Sequence, residues 1–176
     1  MISIVLCTCN GSQFLEEQLN SFLQQTILPD EIIICDDASQ DDTLDIIKRW
    51  KEQVSFVVYV VKNPVRLGIC NNFENGIRKA QGPYIFLSDQ DDVWLPNKLE
   101  LSLKEAQNYL ADLPLMVYMD LKVVNQDLEI MTESMVKSQS HHANTELVQE
   151  LTENTVTGGV AMINHSLAEM WQETDD

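Results

Sequence analysis

Asp89, Asp91 and Asp92 follow directly on an apolar, aromatic-rich run at 84–87, itself opened by the turn signal Gly82-Pro83. Like charges at this spacing repel, so folding alone gains nothing from gathering them there. Two carboxylates one residue apart, fixed to the end of a rigid strand, suit a hard divalent cation that prefers oxygen ligands. A second acidic pair, Asp36-Asp37, ends the run 31–35, and a third polar group, Thr8-Cys9-Asn10, ends the run 2–7. A carboxylate in such a place can accept a hydrogen bond from a base N3–H or a ribose hydroxyl, while another holds a metal on a pyrophosphate. Each group alone has a plainer explanation. Asp-x-Asp is usually a solvated acidic loop, and Asp36-Asp37 would suit the start of a helix, where carboxylates are favoured. Their recurrence at three strand ends is what points to a site.

The elements that must position these groups are readable from periodicity. Continuous apolar runs at 2–7, 31–35, 56–61 and 84–87 read as buried strands. The run 56–61 has the unbroken character of a strand covered on both faces. Between them lie helical patterns. Ser12 is the expected N-cap of a helix burying Leu15, Leu19, Phe22 and Leu23. Ser39 and Asp42 resemble a capping box before Leu44, Ile47 and Trp50. Gly68 precedes a helix with Phe73, Ile77 and Ala80 inward, and Pro96 suits the first turn of one burying Leu99, Leu103, Ala106 and Leu110. Strand and helix alternate four times, which argues for an α/β fold with a mostly parallel, doubly wound central sheet and helices on both faces. Right-handed crossovers then bring the carboxyl ends of the strands to one edge, where ligands bind in open α/β sheets.

Beyond Pro114 the pattern changes. Strands are expected at 115–119 and 160–163, with 121–125 continuing or pairing beside the former and Gln126-Asp127 as a turn. Residues 131–144 read as a loop over the site, 145–151 as a short helix, and 166–171 as a last helical turn or two. Thr157-Gly158-Gly159 interrupts before the final strand. No repeat or linker divides the chain, so 1–176 is expected to be one domain, with nucleotide binding in about 1–95 and the acceptor part in about 96–176.

The 176 residues are 44% hydrophobic and carry 28 acidic against 11 basic side chains, a net charge of −17. Phosphate-backbone binding needs clustered Lys and Arg, so nucleic acid is not an expected partner. An anionic membrane surface is unfavourable for the same reason. An anionic ligand such as a nucleotide would need a cation between it and the protein. No signal peptide or transmembrane segment is visible, and the expected location is cytoplasmic, at most peripheral at the inner membrane face. Cys7, Cys9, Cys35 and Cys70 lack a second paired motif and stand far from the histidines, which argues for reduced, buried thiols rather than zinc. The acidic spacing fails as an EF-hand, with Trp94 or Asp42 where glycine is required. No Gly-rich phosphate loop is present.

Taken in order, residues 4–10, 36–41, Leu67-Gly68 with Asn72-Phe73, and 86–94 resemble the family 2 inverting glycosyltransferases of GT-A fold. The form Ser-Asp-Gln-Asp-Asp-Val-Trp is most similar to the bacterial rhamnosyltransferase-like branch that builds surface polysaccharides. The resemblance spans nearly the whole chain. It implies a transferase moving a sugar from a UDP- or dTDP-linked donor, with inversion, to a saccharide or lipid-linked saccharide acceptor, using Mg or Mn. It further implies that Thr8 (through its backbone), Asn10, Asp37 and Asp89 bind the nucleotide, that Asp91 binds the metal, and that Asp92, Trp94, Thr157 and Gly158 line the sugar and acceptor side. For Trp94 the choice is between an acceptor platform and core packing, and a tryptophan after a strand end is more often packing. Asp37 would read N3–H of uracil or thymine, and Asp89 would sit near the ribose. Cys9 stands where the family often has an aromatic residue, and Asn71 where a basic one is common, with Arg66 as a nearby cation. The family's general base, an Asp in a His-Asp-Trp-like motif, lies some two dozen residues beyond the Thr-Gly. That falls past Asp176, so the chain reads as truncated at its C-terminus. Two alternatives stand beside this reading: a nucleotidyltransferase, which would want a Gly-rich basic loop after the first strand, and a metal- and nucleotide-binding module without turnover.

Overall fold

A computed structural model describes residues 1–139, 156 and 158–173. The core is a six-stranded sheet in the order β3-β2-β1-β4-β8-β5. It contains β1 (Ile2–Thr8), β2 (Glu31–Asp36), β3 (Val57–Lys62), β4 (Tyr84–Ser88), β5 (Met116–Tyr118) and β8 (Ala161–Asn164). The pairs β1·β2, β1·β4 and β2·β3 are parallel, whereas β8 runs antiparallel to both β4 and β5. The sheet is therefore mixed and mostly parallel, as expected from the strand–helix alternation. Helices α1 (Leu15–Leu23), α2 (Thr43–Lys51), α3 (Ile69–Ile77), α4 (Lys98–Ala106), α5 (Met135–Ser138) and α6 (His165–Glu173) complete it, with a small hairpin of β6 (Val123–Val124) and β7 (Ile130–Thr132) outside the main sheet. Among the described residues no helix is long and apolar enough to cross a membrane.

Side chains on a strand alternate between faces, and the two halves of the core follow that alternation. Ile4, Leu6, Ile32 and Ile34 join Leu15, Leu19, Phe22, Ile47, Trp50 and Leu99 on one face. Val5, Cys7, Ile33 and Cys35 join Phe73, Ile77 and Ala80 on the other. Gly76 lets α3 lie flat on that second face, because a Cβ there would meet Val5 Cγ1 at 2.3 Å.

Several sequence expectations are corrected. Strand β3 is an edge strand, not one covered on both faces: only Val58 is buried, and Val57 and Tyr59 face solvent. Ser12 does not cap α1, which starts at Leu15 after a turn in which Phe14 and Leu15 N–H donate to the Gly11 carbonyl. Ser39 is no capping box either. Helix α2 begins after Asp42 without a side-chain cap, and the Ser39 hydroxyl turns back to Asp36. Leu110 lies beyond the end of α4 and is exposed. Within 121–125, expected either to continue β5 or to pair beside it, Val123 and Val124 pair with β7 instead, and 131–139 contain the rest of β7 and α5 rather than only loop. The remainder of the expected loop, and the helix expected at 145–151, lie outside the described residues. All four cysteines are free, but only Cys7 and Cys35 are buried; Cys70 is exposed.

Candidate active site

Parallel pairing aligns Thr8 with Asp36 and Leu6 with Ser88, so the chain leaves β1, β2 and β4 along one edge of the sheet. The loops that follow are stitched together by side chains. Asn10, in the left-handed region at φ 50°, donates its N–H to Ser39 Oγ at 2.9 Å and accepts from Gln40 N–H through Oδ1 at 2.9 Å. Gly11 N–H donates to Thr43 Oγ1, and Ser12 N–H to Asp41 Oδ2. Asp41 is held well below the usual carboxylate range: burial acts to raise it, but hydrogen bonds from Thr43 and Ser12 outweigh that. Gln90 clamps the third loop to the first, accepting from Cys9 N–H at 2.8 Å and donating to the Cys9 carbonyl at 3.3 Å. The three strand ends thus form one connected rim.

The two acids of the second strand end have separate places. Asp36 is fully buried and accepts from the Thr8 hydroxyl and from Ser39. Asp37, 6% exposed, accepts from Asn63 Nδ2 (3.0 Å) and Leu67 N–H (2.7 Å) on Oδ1, and from Gly68 N–H (3.0 Å) on Oδ2. Burial acts to raise the Asp37 carboxyl, but these hydrogen bonds and the charge of Arg66 outweigh it and leave it lowered. Asn63 also donates to Asn72 Oδ1, and Asn72 donates to the Cys35 carbonyl. This buried amide pair, which periodicity could not reveal, fixes the Leu67-Gly68 turn against the end of β2.

The acidic end of β4 is completed by β8. Because β8 is antiparallel to β4, its start lies beside the end of β4, and the 3-10 turn Gly158–Val160 packs on the acids. A Cβ on Gly159 would lie 2.3 Å from Asp92 Oδ2 and 2.8 Å from Asp89 Oδ2, so any larger residue would push these carboxylates aside. The Asp89 carboxyl is pushed up to about 6, first by burial and then by the charges of Asp92 and Asp91, with the neighbouring Gly159 backbone and Lys98 acting in the opposite direction. Burial and Asp91 raise Asp92 as well. Lys98, at the start of α4, reaches into the same place. Its Nζ donates to the Gly159 carbonyl at 2.9 Å and lies 3.9 Å from the Trp94 ring centroid. Burial lowers the Lys98 ammonium to about 8, against the opposing pull of Asp92 and Asp89.

Several expected site residues thereby find definite places. Asn10, Asp37, Asp89, Asp91, Asp92 and Gly158 lie on the loops at this sheet edge; Asp91 is exposed and Asp92 half-buried. Thr8 is buried at 2%, and its carbonyl accepts from Asp37 N–H. Of the two readings of Trp94, the structure shows the core residue and not the acceptor platform. The side chain is 4% exposed and packs edge-on to Phe22 at 4.8 Å and against Phe86. Thr157 lies outside the described residues. Lys98 was missed as a site residue: Trp94 lies in the loop before α4, so no helical spacing links the two, and no local pattern marked the lysine.

Crowded, partly dehydrated carboxylates make the cluster costly to keep ionised. The folded-state pKa of Asp89 is above its ordinary value. Its stabilising contribution is therefore present below the ordinary carboxylate range and is lost as pH rises through about 6. Asp89→Asn is expected to stabilise the metal-free chain by about 1 kcal/mol at pH 7, after discounting for solvent screening. Its urea midpoint should no longer fall between about pH 4 and pH 6, whereas the unmutated chain's should.

Such a cluster fits a hard cation with oxygen ligands. Among the described residues no three acidic, histidine or cysteine side chains already converge as a finished metal site. One or two carboxylates with a ligand phosphate completing the shell is how Mg usually binds.

A mixed, mostly parallel sheet with an acidic strand end at its ligand edge is the arrangement of GT-A nucleotide-sugar transferases, and solved structures agree on the fold. Staphylococcus aureus TarS residues 1–349, determined with UDP, superposes with a TM-score of 0.71 at 19% identity, covering 99% of this chain and 48% of that one. The Pyrobaculum calidifontis mannosyltransferase PcManGT, determined with GDP-Man and Mn2+, gives 0.56 at 24% identity over 60% of this chain and 32% of its own. The chain belongs to glycosyl transferase family 2, whose profile matches residues 3–171. Relatives include the Escherichia coli UDP-Glc:alpha-D-GlcNAc-diphosphoundecaprenol beta-1,3-glucosyltransferase WfaP, 34% identical over 56% of this chain, and the Salmonella typhimurium abequosyltransferase RfbV, 33% identical over 64% of it. The chain spans 38% and 35% of the lengths of these two relatives.

Proposed function

We propose that the chain binds a UDP- or dTDP-linked sugar with Mg or Mn and supports transfer of that sugar, with inversion, to a saccharide or lipid-linked saccharide acceptor in bacterial surface polysaccharide synthesis. The observation that carries this reading is the crowded acid cluster of Asp89, Asp91 and Asp92 facing Gly159, in a chain of this family. Asp91, the exposed member, would hold the metal, and Asp89 would take the ribose side. Asp92 and Gly158 would line the sugar. Asp37 and Asn10 border the space for the base.

A divalent cation bound there would stabilise charge building on the departing diphosphate. The names of the relatives support the donor and acceptor classes: WfaP is named for UDP-Glc and a diphosphoundecaprenol acceptor. TarS has been determined with UDP-GlcNAc. A lipid-linked acceptor would put the reaction at the inner face of the membrane.

The test is UDP binding with and without Mn2+, followed by incubation with UDP-glucose and a diphosphate-linked saccharide. Metal is expected to strengthen UDP binding at least about tenfold, and free UDP should accumulate with transfer. Binding that EDTA leaves unchanged would overturn the metal assignment. Metal-dependent binding without any sugar release would favour a binding module.

A further inference from the structure

Lys98 is the buried cation of the acid cluster, and neither the fold nor the donor site described above accounts for it. A lysine side chain at a helix start normally reaches solvent, and burying it costs free energy unless its charge is met. Here it is met on three sides. The Nζ donates to the Gly159 carbonyl and lies over the Trp94 ring, and the glycine it holds is packed against the Asp92 and Asp89 carboxylates, whose charge favours the ammonium. Trp94 is in turn fixed by Phe22 and Phe86, so the ammonium rests on a rigid floor. Gly159, the residue it holds, is the one whose missing side chain lets β8 reach the acids.

Resting on the donor site proposed above, we propose that Lys98 is a positioning residue. It latches the Gly158–Gly159 turn to the acid cluster and acts as that cluster's resident counter-ion, which makes metal binding depend on the donor's diphosphate. A divalent cation alone enters beside a like charge and is repelled. A cation arriving with a diphosphate brings its own negative charge, and the ammonium then attracts the pair. Metal and nucleotide bind together because Lys98 opposes the first and favours the combination.

The test is Mn2+ titration followed by the electron paramagnetic resonance signal of the free ion, with and without UDP, on the whole chain. Lys98→Met keeps the packing on Trp94 and removes the charge. It is expected to bind Mn2+ alone roughly three- to tenfold more tightly, while UDP enhances its Mn2+ affinity less than in the unmutated chain. Lys98→Arg should retain the unmutated pattern. A merely structural lysine would make the Met variant bind Mn2+ equally or more weakly, and that result overturns the proposal. Lys98→Gln, a second neutral variant, must shift affinity the same way if the Met variant fails to fold. If the unmutated chain binds neither Mn2+ nor UDP, the donor-site reading itself falls, and this inference falls with it.

Discussion

Asp91→Asn is expected to remove the metal dependence of UDP binding while leaving the fold untouched. The side chain is exposed at the end of β4, outside both halves of the core, so the change in stability should stay within about 0.5 kcal/mol. Its two neighbours cannot readily substitute for it. Asp89 and Asp92 are half-buried, and the Oδ2 atoms of both are packed beside Gly159. Asp91 is therefore the carboxylate with most freedom to reach a cation lying outside the rim. Asparagine keeps the shape but offers a neutral oxygen, which a hard divalent cation holds far less strongly than a carboxylate. Disturbing even the outer partners of a bound metal commonly lowers affinity 10- to 100-fold, so loss of a ligand should reach at least about that range. Calorimetric titration with UDP in Mn2+ and in EDTA measures it directly. If the variant keeps the full Mn2+ enhancement, the metal is held by Asp89 and Asp92 instead.

Much of the scaffold was legible because it is written in short-range periodicity. Leu15, Leu19 and Phe22 recur at helical spacing, and each is fully buried. The runs that became β1, β2 and β4 announced themselves as continuous apolar stretches, and the acids at their ends were visible as an interruption. Edge position was not legible, since the apolar composition of β3 matches that of a central strand while the order of strands leaves it half exposed. The helix starts misled because Ser12 and Ser39 look like caps in isolation. Long-range partners took them over, Asp41 accepting from Ser12 N–H and Asp36 from the Ser39 hydroxyl. The approach of Gly159 to Asp89 and Asp92 joins residues some seventy positions apart through an antiparallel strand. No local pattern encodes that contact. Trp94 carried an ambiguity that only burial could resolve: a tryptophan after a strand end serves either as a platform or as core, and here Phe22 and Phe86 enclose it.

The second large effect concerns Asp37, whose carboxylate is expected to serve structure and recognition at once. An ionised carboxylate offers about four acceptor positions. Three are filled by Asn63, Leu67 N–H and Gly68 N–H, and the one left over belongs to Oδ2. A uracil or thymine N3–H can occupy it, whereas cytosine presents an acceptor at that position and would be repelled. UDP and dTDP should therefore bind more tightly than CDP by about 1–3 kcal/mol, roughly five- to 150-fold. Asp37→Asn turns one oxygen into a donor that must face Leu67, Gly68 or Asn63, leaving a buried N–H without an acceptor. Stability should fall by about 1–3 kcal/mol, and the preference for UDP over CDP should vanish. The pH dependence has the opposite sign to that of Asp89. The folded-state pKa of Asp37 is depressed, so its contribution is present above the ordinary carboxylate range and is lost as pH falls through the lowered value. Urea midpoints of the two proteins should accordingly differ at neutral pH and converge in acid. Equal affinity of the unmutated chain for UDP and CDP would remove Asp37 from base recognition and leave it only the task of holding the Leu67-Gly68 turn.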